Sequence, residues 1–246
     1  MLDDDAFEDV GDVLAAVRGV LEEIQRFLPL HDEQRVPLVL EEPADGFLVR
    51  AVRLVLQPVD FDRVRMHGLL GGQRVHRGAQ AISPDAATRQ KAVEWLKTVV
   101  EINHVLGAET VCGPYHSAIG EFSGTGPTGD EKKRSADVLR QVAEFAKQAN
   151  LMMAVEYLNR FECYLITTAA QAVELVKMVG HPNLRTMYDT FHAHIEEKDQ
   201  AAAIRTIAPV LAHVHISEND RGTPGTGQVN WQSAFSALKE IKYDGW

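Results

Sequence analysis

The pattern of apolar and polar positions becomes regular from about residue 82 onward. Ser83-Pro84-Asp85 reads as a helix start, with a capping hydroxyl, a proline for the first turn and an acid near the positive helix end. Val93, Leu96, Val100 and Asn103 follow at helical spacing until Gly107 stops them. Glu109–Gly113 is a short buried strand, and Ser117–Gly129, rich in glycine and threonine, is a loop. A helix from Thr128 to about Ala149 carries Val138, Leu139, Val142 and Phe145 on one face. The cycle then repeats. Leu151–Val155 predicts a strand, the stretch from Thr168 to Gly180 a helix, and Leu184–Tyr188 a strand. Asp199 to Leu211 predicts a helix whose last turn Pro209 disturbs. Ala212–Ile216 is a fourth strand and Asn230–Ile241 a last helix. Strand and helix alternate with a period of roughly 30 residues, which predicts parallel βα units.

The first third is different. Residues 1–33 hold ten acids and two bases, whereas residues 34–81 hold five acids and seven arginines. Val10, Leu14, Val17, Leu21, Ile24 and Leu28 predict an opening helix, and Val36–Leu40 and Phe47–Leu56 are candidate strands. Arg63–Gln80 is rich in arginine and glycine and shows little periodicity. The expected division is an atypical region, 1–81, and a βα region, 82–246.

Composition narrows the class. Hydrophobic residues make up 45% and charged residues 24% of 246, as in ordinary globular proteins. No apolar run reaches membrane-spanning length, and the acidic N-terminus is unlike a secretory signal. No membrane association and a cytoplasmic address are therefore expected. A net charge of -10 argues against a nucleic-acid partner. Cys112 and Cys163 have neither metal-finger nor redox spacing.

In parallel α/β folds chemistry gathers at the carboxyl ends of strands. Glu156 follows the second predicted strand, Asp189 the third, and the fourth carries His213 and His215. Two carboxylates and an imidazole on one rim suit a divalent ion such as Mn2+, Mg2+ or Co2+. Taken singly, each residue has a plainer reading. Glu156 could be a loop acid, Asp189 a turn cap, and His213 a hydrogen-bonded core histidine. Tyr115, Phe122, Tyr157, Phe161 and Trp231 could wall a pocket or simply pack.

Several segments, VEYLNRFECYLITT, YDTFHAHIEEKD, HVHISENDRGTPGTG and LKEIKYDGW, together resemble the sugar isomerase/epimerase family. CGPYHSAIG and ISPDAATRQKAVEWL fit it too. This is the xylose isomerase-like barrel group that includes the D-tagatose and D-psicose 3-epimerases. The resemblance implies a (β/α)8 TIM barrel, incomplete as written. Its first units do not match residues 1–81, and the sequence ends at Trp246, before the last strand and the second glutamate the family carries there. It implies that Glu156, Asp189 and His215 hold the metal, Mn2+ foremost, and that Glu156 also acts as the base. Glu162, His192 and Arg221 would hold the hydroxyls of a small sugar. It also implies a homo-oligomer, because family members are often dimers or tetramers. The implied reaction is proton abstraction beside a carbonyl through an ene-diolate. The rivals are a non-catalytic homologue that keeps metal and sugar, a hydroxypyruvate isomerase or inosose dehydratase, and an apurinic-endonuclease-like protein.

Overall fold

The computed structural model describes residues 67–69, 79–105 and 107–245, all within one unit of the chain, Val64–Trp246. The opening helix and the two candidate strands expected before residue 57 lie outside the described residues.

Local chemistry sets the helix ends. Helix α1 (Ala86–Val105) is entered through Asp85, whose carboxylate accepts the Thr88 N–H at 2.7 Å. Helix α2 (Gly129–Gln148) starts on a reciprocal capping box: the Glu131 N–H donates to Thr128 Oγ1 and the Thr128 N–H to Glu131 Oε2. Helix α3 (Ala169–Val179) is capped by Thr168 and closed by Gly180, whose φ of 61° lies in the left-handed region that glycine enters without a Cβ penalty. Asp199 caps α5 (Gln200–Ile207). That helix stops short of the predicted Leu211, because Pro209 tightens the last turn into a 3-10 segment, Ala208–Val210. The final helix, α6 (Trp231–Glu240), is capped by Asn230. A short helix unforeseen in the sequence, α4 (Thr190–Glu196), begins directly at the end of a strand with Asp189 as its cap.

Among the described residues five strands form one parallel sheet in chain order: β1 (His67–Leu69), β2 (Thr110–Gly113), β3 (Met152–Val155), β4 (Leu184–Asp189) and β5 (Leu211–His215). Four of them match the predicted strands. The fifth, β1, falls in the arginine- and glycine-rich stretch for which no element was expected. Three residues carry no readable alternation, and their strand conformation comes from pairing with Thr110–Cys112. Among the described residues no helix is long and apolar enough to cross a membrane.

The two faces of the sheet differ. Val111, Met153, Val155, Leu184 and Tyr188 join Leu139, Val142, Leu175, Val179, Ile204 and Ile207 of the helices in one large core. Leu139 is fully buried there, so truncation to alanine should cost about 2–5 kcal/mol. On the other face a small cluster of Cys112, Ala154 and Met187, with Ala212 beside it, fills the inner side. Side chains alternate along a strand, so Glu156 stands two positions beyond Ala154, Asp189 two beyond Met187, and His215 two beyond His213. The strands thereby lift three donors to one rim.

Candidate active site

Parallel registry brings the donors together. Asp189 and His215 are register partners at the ends of β4 and β5, and the Glu156 N–H extends β3 by donating to the Gly113 carbonyl at 2.9 Å. Thr190 ties the two strand ends further, since its hydroxyl donates to the Ser217 carbonyl and accepts the Ser217 N–H, both at 2.7 Å. Glu156, Asp189 and His215 each offer a ligand atom, and these atoms lie within 4.8 Å of one another. His215 Nδ1 is 3.6 Å from Asp189 Oδ2. The other Asp189 oxygen accepts the Phe191 N–H at 2.7 Å, so Asp189 caps the next helix while its second oxygen faces His215.

Glu156 is no solvated loop acid. It is 8% exposed, and burial, reinforced by the neighbouring Asp189 charge, pushes its carboxyl up to about 8. Burial also lowers the pKa of His192, against the pull of Asp189 and Glu162. The tautomer of His192 follows from its partners. Its Nδ1 accepts the Asn159 backbone N–H at 3.0 Å, so in the neutral ring Nε2 carries the hydrogen and points it at Glu156 Oε1, 3.5 Å away. Two buried carboxylate donors and one half-buried imidazole are a donor set that fits a hard or borderline divalent ion.

The expected sugar-holding residues form a second arc. Arg221 Nη2 donates to Glu162 Oε1 at 2.8 Å, and the same oxygen accepts Asn159 Nδ2 at 2.9 Å. Glu162 does not pair with Arg160, which binds Glu196 instead at 2.9 Å. The Arg221 guanidinium lies 4.2 Å over the Phe191 ring, and its backbone φ of 61° is a strained value for a non-glycine residue.

Three residues here were not singled out as site residues. Asn159 holds both His192 and Glu162. Glu218 holds the loop that carries Arg221: it accepts from Trp231 Nε1 at 2.6 Å and from the Gly225 and Val229 N–H groups at 2.7 and 3.2 Å. Burial pushes its carboxyl up, but those bonds outweigh burial and hold it at about 2. A Cβ at Gly227 would press on Asn219 Oδ1 and Glu218 Oε2, both already held by hydrogen bonds to the loop. The third is Cys112, whose thiol lies 3.8 Å from His215 Nε2; burial and then the charge of Glu156 push it up to about 12. Asn159 and Glu218 both lie inside motifs already quoted, Glu218 three residues beyond the end of β5, but neither had a spacing that announced its partners. Of the aromatics, Tyr115 and Tyr157 are core residues, Trp231 serves Glu218, and Phe161 is 74% exposed.

The xylose isomerase-like TIM barrel family matches residues 63–246. The chain is 38% identical over 161 residues to an L-ribulose 3-epimerase of Mesorhizobium japonicum, covering 65% of this chain and 54% of that protein. It is 35% identical over 164 residues to a D-psicose 3-epimerase of Agrobacterium fabrum, covering 66% and 57%. A solved L-ribulose 3-epimerase superposes with a TM-score of 0.73 at 32% identity, over 84% of this chain and 67% of the other. The chain thus spans little more than half the length of the curated relatives it matches. With its parallel sheet, its strand-end donors and this match over most of its length, the chain belongs to the xylose isomerase-like TIM barrel family.

Proposed function

We propose that the rim formed by Glu156, Asp189 and His215 is the site of a metal-dependent ketose epimerase or isomerase that moves a proton beside a carbonyl through an ene-diolate. The observation that carries this reading is the convergence of those three donors within 4.8 Å, with a buried carboxylate among them. The similarity to L-ribulose and D-psicose 3-epimerases favours carbon 3 of a small unphosphorylated ketose.

Glu156, Asp189 and His215 would hold the cation, Mn2+ foremost, with Mg2+ and Co2+ as alternatives. Bound there, the ion supplies Lewis-acid stabilisation of the charge that builds on the substrate oxygens. The proton itself moves to a side chain. Glu156 is the base, a buried carboxylate at the rim where the substrate would lie. The Nε2–H of His192 steadies the Glu156 carboxylate and donates to a substrate oxygen that comes within reach. Glu162 accepts and Arg221 donates, so together they orient neighbouring hydroxyls and leave one carbon facing the base.

The test is hydrogen exchange at carbon 3 in deuterated water. D-psicose or L-ribulose is incubated with the Mn2+-loaded chain, and the proton resonance of that carbon is followed. Loss of the signal is expected. A persistent signal, with Mn2+ shown to be bound, would overturn the reading.

A further inference from the structure

One layer below the carboxylate rim lies a second group of metal-competent side chains, of which the proposed reaction uses only His215. Cys112 is the register partner of Ala154 on β3, and Met187 that of His213 on β5. Cys112 Sγ, a His213 nitrogen and a His215 nitrogen all lie within 4.8 Å of one another. The His213 and His215 rings stand edge to face with centroids 4.9 Å apart. His215 looks both ways: Nδ1 faces Asp189 at 3.6 Å, and Nε2 faces Cys112 Sγ at 3.8 Å.

Distance helps decide what the lower group can do. At 3.8 Å the sulfur–nitrogen separation makes at best a weak hydrogen bond. Two ligands on one tetrahedral ion, with metal–sulfur near 2.3 Å and metal–nitrogen near 2.0–2.1 Å, stand about 3.6 Å apart. The observed spacing needs little adjustment to reach that value. The surroundings are apolar, with Ala154 and Met187 packed against Cys112. Sulfur and imidazole donors select softer ions than the carboxylates above.

We propose that Cys112, His213 and His215 form a second cation site, selective for thiophilic ions such as Zn2+ or Cd2+, that shares His215 with the carboxylate rim. A neutral imidazole has one in-plane lone pair. An ion on Nδ1 leaves the hydrogen on Nε2, whereas an ion on Nε2 leaves the hydrogen on Nδ1, facing Asp189. The two sites therefore compete for one ring, and a thiophilic ion binds below at the expense of the ion above. As the sulfur–metal bond forms, the Cys112 S–H proton leaves to solvent, one per ion, with no change in oxidation state.

Cd2+ is the probe, and its ultraviolet thiolate charge-transfer band is the readout, with released Mn2+ followed by electron paramagnetic resonance. The wild-type chain should show the band and release bound Mn2+ as the band grows. Cys163→Ala should keep the band, because Cys163 belongs to a different environment and donates to the Ile166 carbonyl. Cys112→Ala should lose it, with Cd2+ affinity falling by more than the ~10–100-fold typical of an outer-shell partner. Asp189→Asn should weaken Mn2+ binding and keep the band, which separates failure of the lower site from failure of the rim. Absence of the band in the wild type, its survival in Cys112→Ala or its loss in Cys163→Ala overturns the site. A band that grows while Mn2+ stays bound overturns the sharing of His215. Should Cys112→Ala fail to fold by circular dichroism, His213→Gln decides: a more than ~10-fold loss of Cd2+ affinity is expected, and unchanged affinity overturns the proposal.

Discussion

Glu156 at the mouth of β3 and Glu218 in the loop after β5 are both buried, yet one carboxyl is pushed up to about 8 and the other is held at about 2. The difference lies in the partners. Glu156 faces another carboxylate, Asp189, and its near neighbour His192 is 3.5 Å away. Glu218 accepts an indole N–H and backbone N–H groups that favour the charged form. Burial alone therefore does not assign a role to an acid. A carboxylate that faces another carboxylate is suited to proton or cation chemistry, whereas one held by several N–H donors acts as a structural clamp.

Neutralising each glutamate tests that contrast most sharply. Glu156→Gln should lower hydrogen exchange at the substrate carbon by at least ~100-fold, the scale of a lost acid–base group, with melting temperature unchanged or raised. Exchange close to wild type would remove Glu156 from the base role. Glu218→Gln should do the reverse, lowering the melting temperature by several degrees while Mn2+ affinity at the rim stays within about threefold, well short of the ~10-fold of an outer-shell partner. An unchanged melting temperature would show that the loop does not need the carboxylate.

A smaller effect is expected from pH. The folded-state value of Glu218 lies below the ordinary glutamate value of about 4.3. Its contribution is therefore complete above the unfolded value and is lost as pH falls through the window from about 4.3 toward 2. Denaturant titrations at several acidic pH values should show a shallower loss of stability for Glu218→Gln than for the wild type. Parallel curves would contradict the clamp.

The smallest expected effects concern Arg221. Replacement by alanine should raise KM about tenfold with a lesser change in kcat, the size of one charge-assisted hydrogen bond. Replacement by glycine should raise KM equally but leave the fold about 1 kcal/mol more stable than the alanine variant, because the positive φ no longer costs strain. Equal stabilities would show that the loop relaxes around position 221.

What could be read from the chain followed how far each signal reaches. Thr128 with Glu131, Thr168 with Gly180, and Pro209 act over a few residues, so the boundaries of α2 and α3 and the disturbance after α5 are legible, although α5 ends at Ile207 and not at Leu211. Helix α4 was not legible, because seven residues starting on the last residue of a strand leave no room for a period to show. Strand β1 was not legible either, since its conformation is supplied by a neighbour.

The sequence by itself determined the alternation of strand and helix, the fold class, and the presence of acids and histidines at the strand ends, because hydrophobic period and capping are local properties. Only the tertiary structure decided which side chains meet: His192 with Glu156, Arg221 with Glu162, and Cys112 with a histidine 103 positions away. Such pairs depend on strand register and on loop paths closed by hydrogen bonds between distant residues, and no spacing along the chain encodes them.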